Sequence, residues 1–274
     1  MSQNSQPDLR RPDAPARTRD HVAGEVIGRH QHDYHQLIYV STGVLAVQTE
    51  EGAWVASADR AVWTPAGMWH EHRVYGQSSV HTVGFPAGDS QGGGSPAGGS
   101  PGGGSPLPGG SPTIVAVDGL LRELLIACTE PGLPGPESER LRAVLNDRLR
   151  RAHVQPLTLP TAHDPRLAHA CRLVVDDLSR PRSVSWLSRR AGVGERTLTR
   201  LFRTEFGTTY PQWRTTTRVF HAMILLAEGA TVTEAARRCG WATTSAFIDT
   251  FARTMGRTPG AYRAAANRTG PAGP

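Results

Sequence analysis

The stretch Ser183-Val-Ser-Trp-Leu-Ser-Arg-Arg-Ala-Gly-Val-Gly-Glu-Arg-Thr-Leu-Thr-Arg-Leu-Phe202 decides the fold of the C-terminal part. Two helices crossing at a tight turn need a small residue inside the first helix, a glycine at the turn and apolar residues that lock the pair. Ser188 is the small residue and Gly192 lies four positions later. Leu187, Ala191, Val193, Leu198 and Leu201 supply the lock, and Gly194 can open the second helix. Helical spacing then puts Arg196, Thr199, Arg200 and Arg203 on one outward face, a row suited to base edges and phosphates in a major groove.

The same grammar recurs about fifty residues later, in Thr233-Glu-Ala-Ala-Arg-Arg-Cys-Gly-Trp-Ala-Thr-Thr-Ser-Ala-Phe-Ile-Asp-Thr-Phe251. Ala236 is the small residue, Gly240 the turn, and Cys239, Trp241, Phe247 and Phe251 the lock. Thr244 and Ser245 open the second helix, with Asp249 following on its exposed side. Between the motifs, Tyr210-Pro211 starts a helix that runs to Gly229. About eighteen residues span roughly 27 Å, near the roughly 34 Å between successive major-groove faces. Two such units on one chain can thus occupy adjacent grooves. Charge agrees: residues 164–274 carry 17 Arg against 8 Asp and Glu, net +9, while residues 1–163 are net −3. The chain has no lysine, so location carries the argument and the total of +6 does not.

Residues 164–263 resemble the DNA-binding domain of AraC/XylS family transcription regulators. Leu201-Phe202, Phe206-Gly207, Trp213-Arg214, Gly240-Trp241, Ser245-Ala246-Phe247 and Thr258-Pro259-Gly-Ala-Tyr262-Arg263 carry the resemblance. It implies base-reading positions at Arg196, Thr199 and Arg200 in the first recognition helix, and at Thr244, Ser245 and Asp249 in the second. Asp249 departs from the family's frequent basic residue, because a carboxylate repels phosphate and has only cytosine's amino group to accept from.

Outward from this domain, Val154–Pro160 is extended and proline-bounded, so residues 154–163 read as a linker. Two helices precede it within 118–152, with stripes Leu120, Leu121, Leu124, Leu125, Cys128 and Leu141, Val144, Leu145, Leu149. Such a pair either dimerises or packs on its own sheet. Residues 88–112 form a degenerate Gly/Ser/Pro repeat, expected to be a flexible, solvated insertion. Residues 21–86 read as short strands, with Ser41-Thr-Gly43 between Gln36–Val40 and Val44–Thr49 as a hairpin signal. Residues 1–19 are expected to be a disordered lead-in without a secretory signal, and 269–274 a disordered tail. Cys128, Cys171 and Cys239 are odd in number and widely spaced, which fits a reducing cytoplasm and neither a disulfide scaffold nor a zinc finger.

Seven of the eleven histidines lie between residues 21 and 86. Gly24, His30, His32, Gln36 and Gly43 match the spacing of the first cupin motif, with Gln36 where a glutamate is usual. Pro65-Ala-Gly67-Met-Trp-His70 matches the core of the second, although Asp59 and Val74 depart from its ends. The resemblance implies a jelly-roll sensor barrel, and within it His30, His32 and His70 face one another. Three neutral imidazoles suit a divalent transition metal, with the Gln36 oxygen as a weaker fourth ligand. Two other readings stay open: a metal-free pocket for an organic effector, and histidines that are structural only.

The expected architecture is therefore α+β in two domains: a cupin-like sensor and dimerisation domain over 20–153, and an all-α double helix-turn-helix domain over 164–268. The expected function is a one-component, non-enzymatic transcription regulator in the cytoplasm. Its partners would be double-stranded promoter DNA, a small-molecule effector, a second copy of the chain and, for an activator, RNA polymerase, with no membrane. The alternatives are a metal-dependent cupin enzyme tethered to DNA, and a constitutive DNA-binding protein whose barrel only dimerises. Against the enzyme, no independent acid, base or nucleophile accompanies the three histidines.

Overall fold

The computed structural model of the chain describes residues 16–87, 105–107, 109–155 and 158–266. The chain divides into two compact units, one up to Pro156 and one over Leu157–Asn267, each with its own core.

The first unit is built on two long strands, β3 (Tyr34–Thr49) and β6 (His70–Pro86). They pair antiparallel along their whole length, from Tyr34 opposite Pro86 to Thr49 opposite His70. The outer edge of β6 takes β1 (Ala16–His21) along one half and β2 (Val26–His30) along the other. The outer edge of β3 likewise takes β5 (Arg60–Thr64) and then β4 (Gly52–Ala56). β7 (Thr113–Ala116) extends the sheet beside β5, and β8 (Val154–Gln155) follows β7.

The hairpin expected at Ser41–Gly43 is not formed. The register shifts on both sides of Thr42, and β3 continues through a bulge from one layer of the barrel into the other. One partner strand follows it throughout, so the turn-forming residues make a bend and no reversal. Gly43 has φ 75°, and a Cβ there would lie 2.0 Å from Ser78 Oγ and 2.6 Å from the Gln77 carbonyl oxygen. Only glycine fits that crossing.

Inside the barrel Ile38, Val40, Leu45, Val47, Trp54 and Val74 pack together. The opposite face of the same sheet, with Leu37, Tyr39, Trp63 and Phe85, is covered by α1 (Gly119–Ala127) and α2 (Gly135–Arg150) through Leu121, Leu125, Leu145 and Leu149. Burial on both faces explains why Leu37–Val40 is apolar without alternation. Leu120 and Val144, expected in the two stripes, are instead 52% and 47% exposed.

Three expectations are corrected at the edges. Residues 16–19 belong to β1 and not to a lead-in: their backbone pairs with Val83–Val80, and Ala16 packs on the core. Residues 154–155 belong to the sheet and not to the linker, Gln155 pairing with Ile114. The end of the insertion is not solvated: Leu107 is buried in the core under α1 and α2, and Ser105 Oγ donates to the Leu107 carbonyl at 2.7 Å. Leu107, with buried Pro106 and Pro112 on either side, anchors this end of the segment. The remainder of 1–19 and of 88–112, and the tail at 269–274, lie outside the described residues except for 109–112.

The second unit is helical: α3 (Pro165–Val175), α4 (Val184–Ala191), α5 (Glu195–Phe206), α6 (Tyr210–Ala227), α7 (Val232–Arg238), α8 (Thr244–Met255) and α9 (Pro259–Ala266). Side-chain oxygens of Asp164, Ser183, Thr231 and Thr243 cap α3, α4, α7 and α8, and Thr209 with Gln212 forms a capping box on α6. Leu187, Leu198, Phe202 and Trp213 pack the first half, while Phe247, Phe251 and Tyr262 stack edge to face in the second.

Candidate functional site

In the helical unit α4–α5 and α7–α8 are the two helix-turn-helix pairs. Gly192 and Gly240 make the turns at φ 67° and 74°. They are not equivalent: a Cβ on Gly192 meets nothing within 4 Å, whereas one on Gly240 would sit 2.3 Å from the Leu178 carbonyl oxygen. Buried Ser188 turns its hydroxyl back onto the Ser185 carbonyl, so its crossing point is both small and satisfied.

Helix α5 buries Leu198, Leu201 and Phe202 and leaves Arg196, Thr199, Arg200 and Arg203 exposed on the other side. Among the described residues none of these arginines has an ion-pair partner. Helix α8 buries Phe247, Phe251 and Met255, with Ser245 and Asp249 exposed and Thr244 half-buried. Sequence reading missed Arg253, exposed one turn beyond Asp249 and detectable by its i+4 spacing. It also counted every arginine alike. Arg214 donates to the carbonyls of Leu178 and Arg180 at 3.2 and 2.9 Å. Arg218 lies 3.7 Å over the Trp241 ring and donates to the Cys239 carbonyl, and burial pushes its pKa down to about 10. These two hold the fold and are not offered to a polyanion.

In the barrel β2 delivers His30, the loop after it His32, and the start of β6 His70; His30 is paired directly with His70 in the sheet. Their ligand nitrogens all lie within 4.8 Å of one another. His30 Nδ1 donates to the Gly28 carbonyl at 2.7 Å and His70 Nδ1 to the Met68 carbonyl at 2.9 Å, which leaves each Nε2 with its lone pair. His70 is pushed down to about 3 by burial, with His30 adding to it, so it is neutral near pH 7. Gln36 does not stand free as a ligand: its amide nitrogen is 3.2 Å from His32 Nε2, and its buried Oε1 has no partner. His72, which sequence reading left among the general histidines, points into the barrel two residues after His70. Strand alternation was the available signal. A half-open cleft of about 260 Å³, lined by Arg29, Gln48, Thr49, Glu50, Trp69, His70 and Glu71, reaches the centre at His70.

A divalent transition metal fits these residues: three imidazoles converge, and the buried His70 Nε2 has no hydrogen-bond partner.

Comparison with known proteins places residues 187–265 in a helix-turn-helix domain family and residues 21–84 in a cupin domain family. The chain is similar to the HTH-type transcriptional regulator NimR of Escherichia coli K12, 29% identical over 241 residues that cover 85% of this chain and 81% of that one. It is also similar to the HTH-type transcriptional regulator RipA of Corynebacterium glutamicum, 29% identical over 44% of this chain and 37% of that one. Among solved structures, the DNA-binding domain of AdpA in complex with a target DNA is 36% identical, covering 39% of this chain and 98% of that one, with a TM-score of 0.36.

Proposed function

We propose that the chain is an AraC-type DNA-binding transcription regulator with a cupin domain, and that a small molecule bound at the histidine centre governs how it engages promoter DNA. The observation that carries this reading is the convergence of His30, His32 and His70 beside a cavity, on a barrel joined to two helix-turn-helix pairs. The cavity lies at the small end of ligand sites, which favours a compact effector. Two relatives of the chain are HTH-type transcriptional regulators, and among the described residues no helix is long and apolar enough to cross a membrane.

On this reading His30, His32 and His70 would hold a divalent transition metal, which would supply a Lewis-acidic contact for an oxygen or nitrogen of the effector. Arg196, Thr199, Arg200 and Arg203 on α5 and Thr244, Ser245 and Asp249 on α8 face the DNA. A homodimer belongs to the same proposal, with Leu120 and Val144 as large apolar side chains exposed on α1 and α2.

The test is promoter binding by the full-length protein, on DNA selected from a random pool, with and without a chelator. Wild type should change affinity on chelation, and His30→Ala with His70→Ala should bind as chelated wild type does. A wild-type affinity indifferent to chelation, together with an unaltered double variant, overturns the reading.

A further inference from the structure

The three-histidine centre has a fourth imidazole beside it. His72 follows His70 by two residues on β6, so the pleat turns both rings to the same side. Its ring centroid is 5.1 Å from that of His70 and 5.3 Å from that of His30. The separations within the triad itself are 5.0, 4.3 and 5.3 Å. Rings that share one ion at a nitrogen distance of about 2.1 Å stand about this far apart. His72 is 4% exposed, and its Nε2 is buried with no hydrogen-bond partner. Buried polar atoms without partners are uncommon, and Nε2 of His70 and Nε2 of His72 are two of them; the nitrogens within 4.8 Å of one another belong to His30, His32 and His70, so the His72 ring must swing to join them. A cation there would satisfy both imidazoles at once.

Position 36 explains why a fourth imidazole is needed. A glutamine brings no negative charge, and its amide is engaged with His32 at 3.2 Å. With the amide turned so that Oε1 accepts from His32 Nε2–H, it orients His32 as groups behind a metal ligand do and leaves Nδ1 for the ion. We propose that His72 is the fourth protein donor of the metal centre, in place of the carboxylate that position 36 lacks. This rests on the reading that His30, His32 and His70 hold a divalent metal. It adds that the donor set is all imidazole and neutral, so the ion keeps its full double positive charge toward whatever small molecule enters.

The experiment uses the full chain, stripped with chelator and titrated with Zn(II) or Cu(II) alone. Calorimetry should show one Zn(II) site in wild type, weakened by about 10–100-fold in Gln36→Leu and by clearly more in His72→Gln, consistent with losing a group behind a ligand against losing a ligand. Pulsed electron paramagnetic resonance of the Cu(II) form should count four imidazoles in wild type and three in His72→Gln. The wild-type count decides the matter even if the variant does not fold. Three imidazoles in wild type, with His72→Gln binding as wild type does, overturns the role of His72 and leaves the triad standing. A wild-type chain that takes up no metal overturns both readings.

Discussion

Arg200 and Asp249 are each the sixth residue of a twelve-residue recognition helix, and both are exposed. The buried positions of the two helices correspond as well, Leu198 with Phe247 and Phe202 with Phe251. The folds of the pairs thus match while the charge presented at this position differs in sign. A guanidinium at this position can make a bidentate contact to guanine, whereas the carboxylate faces phosphates unfavourably. Arg200→Ala should weaken specific promoter binding by about 1–3 kcal/mol. Asp249→Ala should leave it unchanged or raise nonspecific affinity; fluorescence anisotropy on specific and random duplexes reads both. The turn glycines make a second contrast at this scale. Gly192→Ala carries only the cost of a left-handed backbone, about 1–2 kcal/mol, because its Cβ has open space. Gly240→Ala adds contacts of 2.3 and 2.8 Å with the carbonyl oxygens of Leu178 and Ser179. Denaturant melts should therefore rank Gly240→Ala well below Gly192→Ala, and equal losses would mean the Leu178–Ser179 backbone yields freely.

At the scale of elements, α1 is fastened to the sheet by a buried polar network as well as by leucines. His81 on β6 joins Ser41 of β3 through Nε2 at 2.9 Å, and joins Thr129, just after α1, and Thr18 of β1 through Nδ1 at 2.8 and 3.0 Å. Burial pushes His81 down to about 4, with Arg122 adding to it and Asp20 opposing. The folded pKa lies below the unfolded value of about 6.5, so the unfolded chain binds the proton first as pH falls. This contribution is therefore intact above about pH 6.5 and is lost between there and pH 4, by up to about 3 kcal/mol. Thermal melts from pH 7.5 to 4.5 should fall for wild type and flatten in part for His81→Asn; an identical slope in the two would place the proton uptake elsewhere. Leu107 offers a separate check, since Leu107→Ala should destabilise the barrel by about 2–5 kcal/mol. These elements mark where the sequence was legible. The two helix-turn-helix pairs and the His30, His32, His70 set could be read because local spacing defines them. The bulge at Thr42 and the anchoring by Leu107 could not, because each depends on a partner distant in sequence, Ser78 or the α1–α2 leucines; nor could the place of Gln36 beside His32, which depends on how the loop after β2 folds back.

The whole molecule sets opposite charges on one chain. The segment up to residue 163 is net −3 and the remainder net +9, so the DNA-binding unit is more attractive to a polyanion than the complete protein. Compact packing of Leu157–Asn267 around its own core makes the unit testable alone. On a random duplex of about 20 base pairs, too short to reward a dimer, the isolated unit should bind more tightly than the full chain at low salt. The difference should shrink as salt rises, because the Debye length falls from about 10 Å at 0.1 M to about 3 Å at 1 M. Within the unit, log affinity should fall linearly with log salt, by about 0.9 for each phosphate neutralised. Arg203 lies at the far end of the exposed row on α5, a turn beyond Thr199. If it holds phosphate and not a base, Arg203→Ala should reduce that slope by about 1 and weaken specific and random duplexes alike. Loss of discrimination with an unchanged slope would instead make Arg203 a base-reading residue and shift the register of the whole helix in the groove.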